Sequence, residues 1–286
     1  MEFLTLLAAG VFSLLVGSFL NVVIYRLPIS MMASWRRECR AFLTENDGLE
    51  LGEAPAEERF NVAFPRSHCP SCKQLIPAWC NIPVLSWVLL KGRCLRCKSP
   101  ISLRYPFVEL LTAATGVFCV WSYGLSFEAA ALMLFSWTLI CLIYIDIDHQ
   151  LLPDSLTLPL LWAGLAVNSV ATFVDLQSAV YGAMAGYLSL WSIYWAFKLL
   201  TGKEGMGFGD FKLLAALGAW MGWQQLPTII ILSSAVGAIF GIAGILMKGK
   251  DKDTPMPFGP YLAIAGWFAF FWGSDIQRWY LGLIAA

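Results

Sequence analysis

Between Phe3 and Tyr25 the chain carries no charged side chain, and apolar runs of similar length recur down to its C-terminus. A helix needs about 20 apolar residues to cross the hydrocarbon core of a bilayer. Eight segments are expected to do so: 3–25, 106–124, 127–146, 156–174, 179–199, 209–225, 227–247 and 257–284. The first, third, fifth, seventh and eighth are clear on length alone. The sixth is short and opens on a glycine-rich stretch. Composition agrees: 58% of residues are hydrophobic and 13% charged, against about 25% charged in soluble domains, and mean hydropathy is +0.67. The expected fold class is an all-α polytopic membrane protein of about eight transmembrane helices. The first segment lacks the basic flank and small-residue cleavage site of a secretory signal, so it reads as a retained span.

Charge asymmetry sets the expected orientation. Of 19 Lys and Arg, twelve lie between Arg26 and Arg104. Three more are Lys198, Lys203 and Lys212, another three are Lys248, Lys250 and Lys252, and Arg278 is left over. With eight spans and the N-terminus outside, all three clusters fall on one side, which the positive-inside rule makes the cytoplasm. A seven-span chain lacking the sixth segment puts 248–252 outside, so the short span is kept. The expected division is a first transmembrane helix (1–25), a cytoplasmic domain (26–105) and a seven-helix membrane domain (106–286). Within 26–105, Glu45 to Glu58 holds six acids and no base, and reads as a solvated loop. Trp35 to Phe42 reads as a mobile surface insertion, or else a short interfacial helix. Net charge is zero, so nothing indicates a nucleic-acid partner.

Two C-x-x-C pairs, Cys69-Pro-Ser-Cys72 and Cys94-Leu-Arg-Cys97, stand 21 residues apart in that domain. Each pair places two thiolates on one side of a metal, and an intervening hairpin brings the pairs together. On the cytoplasmic side disulfides do not persist, which favours a zinc site over redox thiols. Four protein ligands leave no position for water, so such a zinc is structural. Gly92 is expected to supply a tight turn before the second pair. His68 has no ligand position left to fill. Cys119 and Cys141 lie in spans and read as small apolar residues, while Cys39 and Cys80 have no partner at ligand spacing.

Ionisable groups at the edge of apolar segments are functional candidates. Asp146 and Asp148 end the third segment, Asp210 opens the sixth in Gly207-Phe208-Gly209-Asp210, and Glu109 lies near the start of the second. In the expected topology all four sit at the cytoplasmic boundary. Asp175 and Asp275 fall outside and read as solvated loop charges. Two of these aspartates on separate helices at one depth, one from the end of the third segment and one from the start of the sixth, could meet as a proton-sharing pair, in which one carboxylate takes a proton from water and the other gives one to a scissile carbonyl. The competing reading is plain helix chemistry, because an Asp at a helix N-terminus is favoured by the macrodipole. Asp154, just before the fourth segment, reads as part of an ordinary N-cap region.

Gly17-Ser18-Phe19-Leu20-Asn21-Val22-Val23-Ile24-Tyr25-Arg26-Leu27-Pro28, the two C-x-x-C pairs, Ile145-Asp146 through Pro153-Asp154, and Gly207-Phe208-Gly209-Asp210 occur in that order. Together with Pro257-Phe258-Gly259-Pro260 they resemble the type IV prepilin peptidases, a GxGD group of aspartic proteases, over nearly the whole chain. The resemblance implies that Asp146 and Asp210 are the catalytic pair, with Asp148 and Asp154 supportive or variable. It implies cleavage of type IV prepilins or pseudopilins, of pilus or type II secretion systems, at the cytoplasmic face of a bacterial inner membrane. It further implies N-methylation of the new N-terminus with S-adenosylmethionine. No glycine-rich dinucleotide-type fingerprint marks a seat for this cofactor, so its residues are not named; the 26–105 domain and Glu109 are the places to look. Membrane lipid is the remaining expected partner. The alternative from another class is a proton- or cation-coupled transporter using the same carboxylates, which leaves the four cysteines unexplained.

Overall fold

The structure is a computed structural model that describes residues 2–47, 60–203, 205–248 and 257–284. Among these residues there is no β-strand, only two isolated bridges. In chain order the α-helices are α1 (Glu2–Asp47), a short α2 (Leu85–Leu89), α3 (Arg104–Tyr123), α4 (Phe127–His149), α5 (Asp154–Asn168), α6 (Leu176–Thr201), α7 (Phe208–Met221), α8 (Leu226–Lys248) and α9 (Gly259–Ile284). Each of the eight expected segments coincides with a helix. Among the described residues four helical stretches are long and apolar enough to cross a membrane: 2–45, 104–123, 127–149 and 223–243. α5 and α7, of 15 and 14 residues, fall short of the length that spans a bilayer unaided.

The chain forms two compact units, one running to Met133 and the other starting at Leu134. In the first, α1 and α3 pack through small residues. A Cβ added to Gly17 would lie 2.8 Å from Cα of Glu109, and one added to Gly116 would lie 2.0 Å from Oγ of Ser13. Small residues are how apolar helices approach closely where no hydrophobic force separates them from lipid. The first helix does not stop at residue 25. It runs through Pro28 to Asp47, so Trp35 to Phe42 form neither a separate interfacial helix nor an irregular insertion. Of the acidic stretch, 45–47 end this helix and 48–58 lie outside the described residues.

In the second unit α7 is the central element. Every residue from Asp210 to Met221 except Lys212 is buried, which explains its nearly uniform apolar sequence. Glycines set its contacts. Gly182 of α6 and Gly218 of α7 each have the other's carbonyl oxygen 2.2 Å from where a Cβ would stand. Gly186 of α6 likewise meets the carbonyl of Leu214, while Gly164 of α5 makes room for the Trp220 indole and Gly266 of α9 for the Leu217 side chain. The Trp220 indole donates to the carbonyl of Leu160 at 2.9 Å and lies 4.9 Å from the ring of Phe135.

The fourth expected span, 156–174, ends early at Asn168. That residue is fully buried and its side chain replaces the backbone ladder. Its Nδ2 donates to the carbonyls of Ala219 and Trp220, and its Oδ1 accepts from the amides of Phe173 and Val174. A turn therefore forms where the apolar pattern alone continues the helix.

Candidate functional site

The four cysteines come together. Their sulfur atoms all lie within 4.8 Å of one another, and Cys69 and Cys97 Sγ are 3.8 Å apart. A tetrahedral zinc with Zn–S bonds of about 2.3 Å requires sulfurs about 3.8 Å apart, so the donor set fits. The two halves are built alike. Cys69 N–H donates to Gln74 O and Lys73 N–H to Cys69 O; Cys94 N–H donates to Ser99 O and Lys98 N–H to Cys94 O. Lys73 and Lys98, each following its second cysteine, adopt φ of 58° and 59°. Ile76 and Ile101 close the two loops on the carbonyls of Ser67 and Gly92. The local sequences show why: Cys-Pro-Ser-Cys-Lys-Gln-Leu-Ile76 and Cys-Leu-Arg-Cys-Lys-Ser-Pro-Ile101 share the pattern C-x-x-C-K-x-x-I.

The environment treats the thiols unequally: those of Cys69 and Cys97 are lowered, while that of Cys72 is pushed up to about 11 despite the backbone N–H of Gln74. The backbone N–H of Cys72 is the largest influence holding the Cys69 thiol down to about 6. The Ser99 hydroxyl is 3.1 Å from Cys97 Sγ. Gly92 takes φ 65° as expected, and the ring of Trp87 packs against it where a Cβ would stand. His68 turns its Nδ1 to the carbonyl of Arg66 at 3.2 Å.

The first sequence motif has a structural role that sequence reasoning missed: it seats the cysteine domain. Ser18 Oγ donates to Asn81 O, Asn21 Nδ2 to Tyr105 O at 3.1 Å, and Arg26 Nη1 to Pro65 O at 2.6 Å and Asn61 O at 3.3 Å. Arg26, 6% exposed, also lies over the ring of Phe60. Glu109 belongs to the same set. Its buried carboxylate accepts the backbone N–H of Val84 at 2.7 Å, and Val84 holds φ 59° and ψ −51°, a conformation that β-branched residues rarely adopt.

Asp146 and Asp210 both belong to the second unit and are 5% and 6% exposed. Asp146 stands in the last turn of α4, and Asp210 in the first turn of α7. Their carboxyl groups lie within electrostatic range of each other. Leu152 bridges the space between them and α9. Its side chain fills the positions where a Cβ of Gly209 or of Gly259 would stand, and the Gly259 Cβ position is also 2.6 Å from Oδ2 of Asp146. That oxygen is buried and has no hydrogen-bond partner. A buried carboxylate oxygen without a partner is costly, and two buried carboxyls at one place suit a shared proton.

The other acids differ. Asp148 is exposed on the turn after Asp146. Asp154 lies in the first turn of α5, with Pro153 at the N-cap, and it also pairs with Lys212 at 2.6 and 2.7 Å, joining α5 to α7. Asp175 is not a free loop charge, because it caps α6 by accepting the N–H of Ser178 at 2.8 Å. Asp275 pairs with Arg278.

Comparison with known proteins identifies the family. Residues 11–123 match the Bacterial Peptidase A24 N-terminal domain, and residues 133–242 match the Type IV leader peptidase family. The chain is 56% identical to the prepilin leader peptidase/N-methyltransferase of Aeromonas salmonicida (strain A449) over 273 residues, 96% of this chain and 92% of that protein. It is 54% identical to the protein of the same name from Stutzerimonas stutzeri, over 96% of this chain and 93% of the relative. For the Pseudomonas aeruginosa protein of that name identity is 52%, over 94% and 90%. No solved structure matches the chain. At this identity, along nearly the full length of both partners, the chain belongs to the type IV leader peptidase family.

Proposed function

We propose that this chain removes the leader peptide of type IV prepilins and pseudopilins by aspartyl proteolysis and then methylates the new N-terminus. It is an enzyme of a bacterial inner membrane; relatives sharing more than half its residues are named for both activities. The observation that carries the proteolytic reading is the buried pair Asp146 and Asp210, with one carboxylate oxygen left unpartnered. In this reading one carboxylate takes a proton from a water as it attacks the scissile carbonyl, and the other protonates the carbonyl oxygen. Collapse of the tetrahedral intermediate then releases the leader and a free amine.

The reading extends to topology and cofactors. Eight spans with the N-terminus periplasmic and residues 26–105 cytoplasmic place all basic clusters on one face. We accordingly divide the chain by role into 1–25, 26–105 and 106–286. The aspartates then lie at the cytoplasmic boundary, where the leader of a membrane-anchored precursor meets its apolar helix. Zinc on Cys69, Cys72, Cys94 and Cys97 is structural, since four thiolates close the coordination shell. S-adenosylmethionine is the methyl donor we propose, with no residues assigned to it: among the described residues no strand–glycine turn–helix unit exists to seat it. The transporter alternative is not supported by the relatives, whose names are those of a peptidase and methyltransferase.

Purified protein in detergent, given a type IV pilin precursor and S-adenosylmethionine, should release the leader and yield a mature chain with a methylated N-terminus. Mass spectrometry showing the precursor intact with active control enzyme present would reject the reading.

A further inference from the structure

Asp146 sits at the unfavourable end of its own helix. It lies in the last turn of α4, where the macrodipole opposes a negative charge. A different helix meets it. α9 is 26 residues long and begins at Gly259. In its first turn the N–H groups of Tyr261 and Leu262 both donate to the carbonyl of Phe258 at 3.1 Å, and Pro260 has no N–H. Gly259 itself lies against the Asp146 carboxyl, its Cβ position 2.6 Å from Oδ2. The first turn of α9 therefore stands at the buried Oδ2, which has no hydrogen-bond partner. The approach requires glycine, because a Cβ at residue 259 would stand 2.6 Å from that oxygen and 3.0 to 3.1 Å from both Leu152 methyl groups.

We propose that Gly259 is a positioning residue of the aspartyl site: its missing side chain lets the first turn of α9 close on Asp146 and fix the carboxylate oxygen that faces the reaction. The proposal rests on the proteolytic reading above. It gives the Pro257-Phe258-Gly259-Pro260 stretch a role in catalysis rather than in helix packing alone. Any larger residue must displace the carboxylate, and a misplacement of about 1 Å costs roughly 100-fold in rate.

The test compares three variants with the parent enzyme on a pilin precursor, each checked for zinc content and thermal melting. Gly259→Ala should lower kcat about 10- to 100-fold with KM changed less than about 3-fold, because orientation and not substrate binding is lost. Gly266→Ala introduces a similar crowding on α9, against Leu217 at 2.6 Å, and should keep kcat within about 3-fold even where its melting temperature falls. In Gly259→Ala with Leu152→Ala the packing against Leu152 is relieved and the clash with Asp146 is not. This double variant should fold and stay as slow as Gly259→Ala. Parent-like kcat in Gly259→Ala, equal kcat losses in both glycine variants, or recovery of kcat in the double variant would each overturn the proposal while leaving the peptidase reading intact. Failure of the parent to cleave the precursor would instead overturn the peptidase reading, and this proposal with it.

Discussion

Replacing Glu109 by Ala should open the turn at residues 82–85. Val84 sits at φ 59° and ψ −51°, and a non-glycine residue in such a conformation costs about 1–3 kcal/mol. What holds it is the 2.7 Å bond from its N–H to the Glu109 carboxylate. A hydrogen bond to a charged partner contributes about 1.5–3 kcal/mol. The two quantities are of similar size, so the turn persists only while the carboxylate is there. Removing about 2 kcal/mol raises the population of the open turn about 30-fold. Hydrogen exchange of the enzyme in lipid nanodiscs reads this directly: the Val84 amide should exchange about 30-fold faster in Glu109→Ala. Glu109→Gln retains a carbonyl acceptor and should show a smaller increase. Adding Val84→Gly to Glu109→Ala removes the backbone cost and should restore part of the protection. Unchanged exchange at Val84 in Glu109→Ala would refute the reasoning, because the strained turn would then be held by something else.

The protein should contain about one zinc per chain, since four thiolates close a single tetrahedral site; metal analysis of freshly purified enzyme checks this. Replacing Cys69, Cys72, Cys94 or Cys97 by Ser should lower metal content and destabilise the surrounding domain, read by limited proteolysis within 60–105. Asn168→Ala deletes a side chain making four buried hydrogen bonds and should cost about 2–4 kcal/mol of stability, seen as a lower melting temperature. Asp146→Asn should still methylate a pre-cleaved pilin peptide, because methyl transfer to an amine shares no evident group with the carboxylate pair; loss of transfer with normal peptide and cofactor binding would show that the aspartates serve both reactions.

The helices were legible because long apolar runs favour them, and each expected segment overlaps a helix, four of these stretches being long and apolar enough to cross a membrane among the described residues. Their ends were less so. The first span is expected to stop at Tyr25 because Arg26 and Pro28 follow, yet α1 continues. Arg26 is held within the cysteine domain by the carbonyls of Asn61 and Pro65, and such tertiary bonds leave no periodic mark. Residues 169–174 look like more of the same apolar run, and only the four bonds of Asn168 end the helix before them.

The site was legible in part for the same reason. C-x-x-C spacing is local, so the sulfur cluster follows from the sequence, and its near-duplication as C-x-x-C-K-x-x-I was present to be read. Acids at the edges of apolar runs are rare enough to shortlist Asp146, Asp148, Asp210 and Glu109 by type and position, and the family resemblance narrows the list to Asp146 and Asp210. Their surroundings were not, since Leu152, Gly209 and Gly259 meet across three separate elements. Glu109 drew notice as an acid near the start of an apolar segment, but its partner is a backbone N–H 25 residues away, which no side-chain pattern announces.

Cleavage of a purified pilin precursor by Asp146→Asn and Asp210→Asn enzymes tests the central claim most directly. An amide cannot exchange the proton that the reaction needs, so each variant, folded and zinc-loaded, should leave the precursor uncut while Asp148→Asn retains substantial activity. Full leader removal by either Asp146→Asn or Asp210→Asn would contradict the account.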